Sequence, residues 1–331
     1  MSRSALRDAL ARLILHEDHP LTSQDVADEA GLEHEQALRL WRALGFADPA
    51  DAQAFGRLDV QAASRAADAF ASDLLDDRTV LRMARALGQT MARLADWEVA
   101  TIVDQVEGDV QAGRAENRLE AAVAIAEHVG PVFEELLLYA WRRHLAAAAS
   151  RMETLGAVDA ELLSTTMSVG FADLSRFSAM SNTIDQVRLG ELVETFETRS
   201  ADVITGRGGR VIKALGDAVL FVNPDPRQAT LTSLDLVATI GSREDLPDVR
   251  VGLATGSVIS RLGDVFGPPV NLAARLSHVA RSNRVLVDEA THGHLSGEEF
   301  ETRTLPPRPL RGFGNVSPIT VSRRRGFRPR R

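Results

Sequence analysis

The sequence predicts an α+β protein: an all-helical N-terminal domain followed by a ferredoxin-like βαββαβ domain. Two observations carry this. Residues 1–150 are rich in Ala and Leu, with apolar spacings of three and four, whereas from Thr165 short β-rich runs alternate with helical ones. The later half then reads strand, helix, hairpin, helix, strand, the order of a split βαβ core. A chain of 331 residues is long enough for two domains, each with its own core. The expected division is a helical domain at 1–150, a connector at 151–164, an α/β domain at 165–322 and an Arg-rich tail at 323–331.

Composition removes several classes of function. There is no cysteine, so disulfides, thiolate zinc sites and a cysteine nucleophile are excluded. No apolar run approaches the ~18 residues of a membrane span, and the N-terminus lacks a signal-peptide pattern, so a soluble, cytoplasmic protein is expected. Residues 1–160 carry a net charge of −11 and residues 161–331 one of +3. An acidic first half argues against binding along a phosphate backbone.

In the helical domain, Leu6, Leu10, Leu13 and Ile14 form a first apolar face. Leu21-Thr22-Ser23 supplies capping residues before Val26. Ala27 and Gly31 have helix-turn-helix spacing, and a second helix runs through Ala37, Leu40, Trp41 and Leu44 to Gly45. Up to Val60 the segment resembles the start of a MerR-type DNA-binding domain. The second helix nevertheless opens on Glu33-His34-Glu35-Gln36, whose carboxylates repel phosphates, so a reused scaffold is expected rather than a DNA reader. Helices follow at about 75–94, 96–111, 114–129 and 131–149, the last opening on Pro131. Its Val132, Leu136, Leu137, Ala140, Trp141 and Leu145 suit either a core or a helix that pairs two protomers. Five of the eight histidines, His16, His19, His34, His128 and His144, lie in this half and would permit a response to mild acid.

In the second domain a strand from Thr166 to Ala172 leads to Asp173. A helix from Thr183 to Thr205 turns Ile184, Val187, Leu192, Val193 and Phe196 inward. Val211 to Phe221 reads as a hairpin with Gly216-Asp217 at its turn. A helix at about 227–241 precedes a strand from Val249 to Thr255, a turn at Gly256 and a short strand from Ser257 to Ser260. Asp264 falls in a loop between glycines. Pro268-Pro269 halts the chain, and Val270 to Val279 is helical, with Asn271 and Arg275 on one face. Strands at Arg284–Asp288 and Ile319–Ser322 complete the pattern.

Lys213 is the only lysine; every other basic side chain apart from histidine is arginine. A position that keeps lysine against that bias suits a compact ammonium rather than a planar fork. Asp173 and Asp217 sit at the ends of neighbouring strands, where paired carboxylates suit Mg2+ or Mn2+ bridging substrate phosphates. Asn271 and Arg275 could bind charge developing on a phosphoryl group. Lys213 with Asp264 forms a donor–acceptor pair that matches adenine's ring nitrogen and amino group, the reverse of guanine's pattern.

Phe171-Ala172-Asp173-Leu174-Ser175-Arg176-Phe177, the stretch Lys213–Asp217, Gly263-Asp264-Val265-Phe266-Gly267 and Asn271-Leu272-Ala273-Ala274-Arg275 together resemble the class III nucleotidyl cyclase catalytic domain, over about residues 165–322. The resemblance implies that Asp173 and Asp217 carry two metal ions, Mg2+ or Mn2+. It implies that Lys213 and Asp264 select adenine, where guanylyl cyclases typically place Glu and Cys, and that Asn271 and Arg275 stabilise the transition state. It also implies phosphate binding at Arg311, in Leu310-Arg311-Gly312-Phe313, and at Phe177. The implied reaction is cyclisation of ATP to cyclic AMP in a homodimer with two shared sites. The first domain resembles the regulatory half of soluble actinobacterial cyclases that respond to pH. That resemblance implies inhibition at neutral pH, released in acid through the 131–149 helix and the connector.

Overall fold

The computed structural model describes residues 12, 14–15, 17–47, 53–72, 74–154, 164–241, 246–261 and 263–324. The chain divides into two compact units, Met1–Arg151 and Met152–Arg331. Leu6, Leu10, Leu13 and His16, most of the expected connector, and the tail beyond Arg324 lie outside the described residues.

The first unit is helical. Helix α1 (Ser23–Ala30) begins at Thr22, whose side chain accepts from the Asp25 amide while Asp25 caps Thr22 in return, and ends on left-handed Gly31 at φ 72°. Helix α2 (His34–Leu44) lies after the bend, and α3 (Arg57–Phe70) follows. Val26, Ala27, Ala37, Trp41 and Phe55 close a small core, with the Trp41 and Phe55 rings edge to face.

Two very long helices follow, where four shorter ones are expected from the sequence. Helix α4 spans Asp77–Gln111 and α5 spans Arg118–Thr154, with Pro131 in its interior rather than at its start. Proline removes one helical hydrogen bond, but Ala- and Leu-rich sequence on both sides carries the helix through it. The second half of α5 mixes charged residues such as Glu134, Glu135, Arg142 and Arg143 with large apolar ones that stay uncovered: Val132, Leu136, Tyr139, Trp141 and Leu145 are all more than half exposed.

The second unit contains the expected ferredoxin-like core. Its strands are β1 (Ser164–Leu174), β2 (Arg210–Ala214), β3 (Ala218–Asn223), β4 (Val249–Arg261), β5 (Asp264–Phe266), β6 (Val285–Val287), β7 (Phe300–Thr304), β8 (Arg308–Leu310), β9 (Gly314–Val316) and β10 (Ile319–Arg323). The main sheet runs β2-β3-β1-β4-β6-β10-β7, with β5 on β4. Its first four strands are antiparallel throughout, and β6 extends the sheet parallel to β4. After β1 comes the short α6 (Phe177–Ser181) and then α7 (Gln186–Gly206); α8 (Pro226–Ile240) follows the hairpin. Helices α7 and α8 bury Phe196, Ile204, Leu236 and Ile240 against Phe221, Val249, Val251 and Leu253. Helix α9 (Pro268–Val279) and β5 cover the opposite face through Ala273 and Val265 on Val169, Leu220 and Ala254. Strand alternation therefore turns Ala172 and Leu174 toward α7 and α8, and Val169, Phe171 and Asp173 toward α9.

Several local expectations are corrected. Strand β4 runs unbroken through Gly256, which makes room for α9: a Cβ there would lie 2.9 Å from the Pro269 ring. Asp264 begins a strand rather than sitting in a loop, and Pro268-Pro269 opens the helix rather than stopping the chain. Val187 is 74% exposed instead of facing inward, because α7 starts only at Gln186 and presents its first turn to solvent. Strands β7–β9, α6 and the one-turn α10 (Glu289–His292) have no counterpart in the sequence reading.

Gly252 sets the seat of α9. A Cβ on it would fall 2.2 Å from the Ala273 carbonyl oxygen and 2.2 Å from the Ser277 amide nitrogen, both backbone atoms that cannot swing aside. Gly252→Ala is expected to push α9 off β4, destabilising the fold by about 2–3 kcal/mol and lowering Tm by roughly 5–10 °C. A thermal melt of the purified variant checks this; an unchanged Tm would show that the contact is slack.

Candidate active site

Asp173 is the second-last residue of β1 and lies opposite Ala218 of β3 and Arg250 of β4. Asp217 lies in the turn just before β3, where Gly216 takes φ 73°. The turn is pinned to β1 because the Leu174 amide donates to the Asp217 carbonyl at 2.8 Å. Backbone register alone thus brings the two aspartates to one rim of the sheet.

Arg250 completes this group. Its Nε and Nη2 donate to Asp173 Oδ1, each at 3.1 Å, and Nη2 also reaches Oδ2 at 3.3 Å. The fourth contact runs from Nη1 to the His278 carbonyl at 3.1 Å. Burial pushes the Asp173 carboxyl above the ordinary carboxylate range; Arg250 opposes that rise, Asp217 adds to it, and His278 opposes it. Arg250 is the site residue that sequence reasoning missed. An arginine inside the apolar run Val249–Ala254 was the available signal.

The donor set fits a hard divalent cation. No group of three or more His, Asp or Glu that could hold a metal occurs among the described residues. Two carboxylates with the remaining positions left to water and substrate phosphate is the usual binding mode of Mg2+.

A second group lies on β2 and β5. A bulge between Val211 and Lys213 resets the register of β2 on β3. Lys213 Nζ donates to Asp264 Oδ2 at 2.5 Å, while Asp264 Oδ1 accepts from the Val265 amide at 2.9 Å. Both side chains remain partly exposed, at 38% and 28%. The third group is Asn271 and Arg275, one turn apart on α9 and both exposed. Arg311 is exposed in the turn between β8 and β9. Phe177, in the first turn of α6, packs its ring against the core. Of the expected residues, the structure thus joins Lys213 to Asp264 and sets Asp173 beside Asp217, without drawing Arg311 or the Phe177 ring into either group.

Residues 158–321 match the model of the adenylate and guanylate cyclase catalytic domain, and residues 3–145 that of the adenylate cyclase regulatory domain. An adenylate cyclase from Streptomyces coelicolor is 39% identical, over 96% of this chain and 90% of its own length. Another from Streptomyces griseus is also 39% identical, over 85% of this chain and 70% of its own. A protein named pH-sensitive adenylate cyclase from Mycobacterium tuberculosis is 29% identical, over 92% and 78%.

Replacing Arg250 with Met would leave Asp173 buried without its cation, and its carboxyl would rise further. A carboxyl whose folded value lies above its unfolded value costs nothing while both states are protonated. The cost appears as pH climbs through the unfolded value and is complete above the folded one. Arg250→Met is therefore expected to destabilise the chain by about 1–3 kcal/mol at pH 8 and by clearly less at pH 5. Urea unfolding at the two pH values measures this; an equal loss at both would mean that Arg250 acts by packing alone.

Proposed function

The chain belongs to the adenylate and guanylate cyclase family as an adenylate cyclase, and from that membership we propose that it converts ATP to 3′,5′-cyclic AMP and pyrophosphate at sites shared by two copies of the chain. The observation that carries the substrate assignment is the Lys213–Asp264 pair, an ammonium donor held beside a carboxylate acceptor. Adenine offers an acceptor ring nitrogen next to a donor amino group, so the base can exchange into that pair with both partners satisfied. Guanine would set donor against donor and acceptor against acceptor.

In the reaction the ribose 3′ oxygen attacks the α-phosphorus. The bond from phosphorus to the pyrophosphate oxygen breaks, and the 3′-hydroxyl proton is lost. Asp173 and Asp217 would hold two divalent ions, Mg2+ or Mn2+, which when bound make the hydroxyl more acidic and neutralise phosphate charge. Arg275 and Asn271 present donors to the charge that builds on the α-phosphoryl oxygens. Arg311 and Phe177 are read, on the family resemblance, as binding the outer phosphates. The catalytic domain is read as residues 165–322, joined by the 151–164 connector to a regulatory domain at 1–150.

The shared-site arrangement assigns the aspartates of one copy and Lys213, Asp264, Asn271 and Arg275 of the other to each substrate. The large apolar side chains left exposed along the second half of α5 support pairing of copies, since such contiguous surface is commonly an interface. The four described histidines of the regulatory domain and the similarity to a cyclase named pH-sensitive support control by pH. No described helix is long and apolar enough to cross a membrane, in keeping with a cytoplasmic location. The exposed Glu33 and Glu35 at the start of α2 speak against DNA as a partner.

With Mn2+ and ATP the wild type is expected to release cyclic AMP, while Lys213→Ala and Asp217→Ala should each lose nearly all activity. Mixed in equal amounts, the two variants should recover up to about a quarter of wild-type activity, because half the dimers then carry one intact site. No recovery, with subunit exchange shown independently, would rule out shared sites. Equal product from wild type and Asp217→Ala would overturn the site.

For the regulatory reading, the full chain should be more active at pH 6 than at pH 8, and residues 151–331 alone should lack that dependence. Superimposable pH profiles would remove the first domain from pH control.

A further inference from the structure

We infer that Arg250 is a displaceable latch, which ties Asp173 to the C-terminal end of α9 and transmits cation occupancy of the aspartate pair to the helix carrying Asn271 and Arg275. The inference rests on reading Asp173 and Asp217 as cation ligands.

The guanidinium is used at both ends. Nε and Nη2 grip the carboxylate of Asp173, while Nη1 grips the carbonyl of His278. His278 is the second-last residue of α9. Its carbonyl is one of the last four, which have no partner within the helix and lie at the negative end of its dipole. Arg250 therefore clamps together two acceptors that the rest of the fold leaves open to it. Only a planar fork can span them, since a lysine ammonium is a point donor.

A divalent cation on Asp173 puts positive charge beside the guanidinium, so the two compete for one carboxylate. When the cation takes Asp173, the three hydrogen bonds from Arg250 to that carboxylate are lost and the one to the His278 carbonyl remains. The change reaches α9 along a stiff path. Gly252, two residues along β4 from Arg250, has no side chain and lets the helix backbone sit directly on the strand at Ala273 and Ser277. The same helix presents Asn271 and Arg275 from its earlier turns. In the shared-site dimer those two residues serve the other copy's substrate, so the latch links the two sites.

The test uses the full chain, with Mn2+ alone as the probe and no nucleotide. Mn2+ affinity is read by electron paramagnetic resonance, and amide hydrogen exchange is followed across residues 268–280. Arg250→Gln is expected to bind Mn2+ about tenfold more tightly than wild type, because its competitor is gone. Arg250→Lys keeps a charge near Asp173 and should stay within about threefold of wild type. Mn2+ should change exchange at residues 276–280 by threefold or more in wild type and leave both variants unmoved. A purely structural arginine would give the opposite affinity result, weaker Mn2+ binding in Arg250→Gln. That result, or an equal exchange response in all three proteins, overturns the latch. Asp173→Asn separates the two readings. If it binds Mn2+ as wild type does, the cation assignment falls and the latch with it. If it loses Mn2+ while Arg250→Gln fails to gain, the latch alone falls.

Discussion

Asp173 holds a side chain only 11% exposed at the rim of a sheet, and a charge taken that far out of water must be met by another. Arg250 meets it, and much of the catalytic unit is arranged so that it can. The pair exists because β1 and β4 run antiparallel in a register that sets residue 173 opposite residue 250. Arg250 is steadied in turn by the end of α9, and α9 reaches it only because β4 offers glycine at 252 and 256 where the helix backbone comes closest. A register slip of one residue would turn Asp173 into the α7–α8 core and Leu174 out of it. The placement of Asp173 and the packing of the sheet are thus settled by one set of contacts.

The ion pair of Lys213 with Asp264 is of a different kind. Lys213 and Asp264 are both more exposed than Asp173 and Arg250. Exposed pairs are weakly held because water competes for each partner. Such a pair can open for a base that satisfies both ends, at little net cost. A buried pair cannot open so freely; it yields only to something that replaces the lost charge. One fold therefore carries a loose pair suited to reading a neutral base and a tight one suited to answering a cation.

Much of this was legible in the sequence because it is local. Alternation in β1, the turn at Gly216-Asp217 and the one-turn spacing of Asn271 and Arg275 all follow from neighbours along the chain. Lys213 stood out by composition, and its partner Asp264 was matched to it by donor–acceptor chemistry and by the family resemblance, not by any local pattern. What escaped was non-local or overridden. Arg250 meets Asp173 across 77 residues through strand register, which no periodicity reveals. Gly256 reads as a turn because a glycine that clears space for a helix looks the same in sequence as one that bends a chain. Pro131 reads as a helix start because the first-turn preference is strong, yet helix-forming sequence on both sides outweighed one missing hydrogen bond.

Helix α5 shows how far the regulatory unit depends on what covers it. Its 37 residues extend roughly 55 Å at the rise of an α-helix. Tyr139 and Trp141 project from different sides of its second half, with Val132 and Leu136 nearer the first and Leu145 nearer the second. A single neighbour could cover only one of those sides, so a lone copy leaves apolar surface in water whichever way the helix is packed. In the paired form proposed for this cyclase, burial of that helix and completion of the active sites would be parts of one association. Stability of the regulatory helix and competence of the catalytic unit would then rise together with protein concentration, as follows when neither can be finished within one chain.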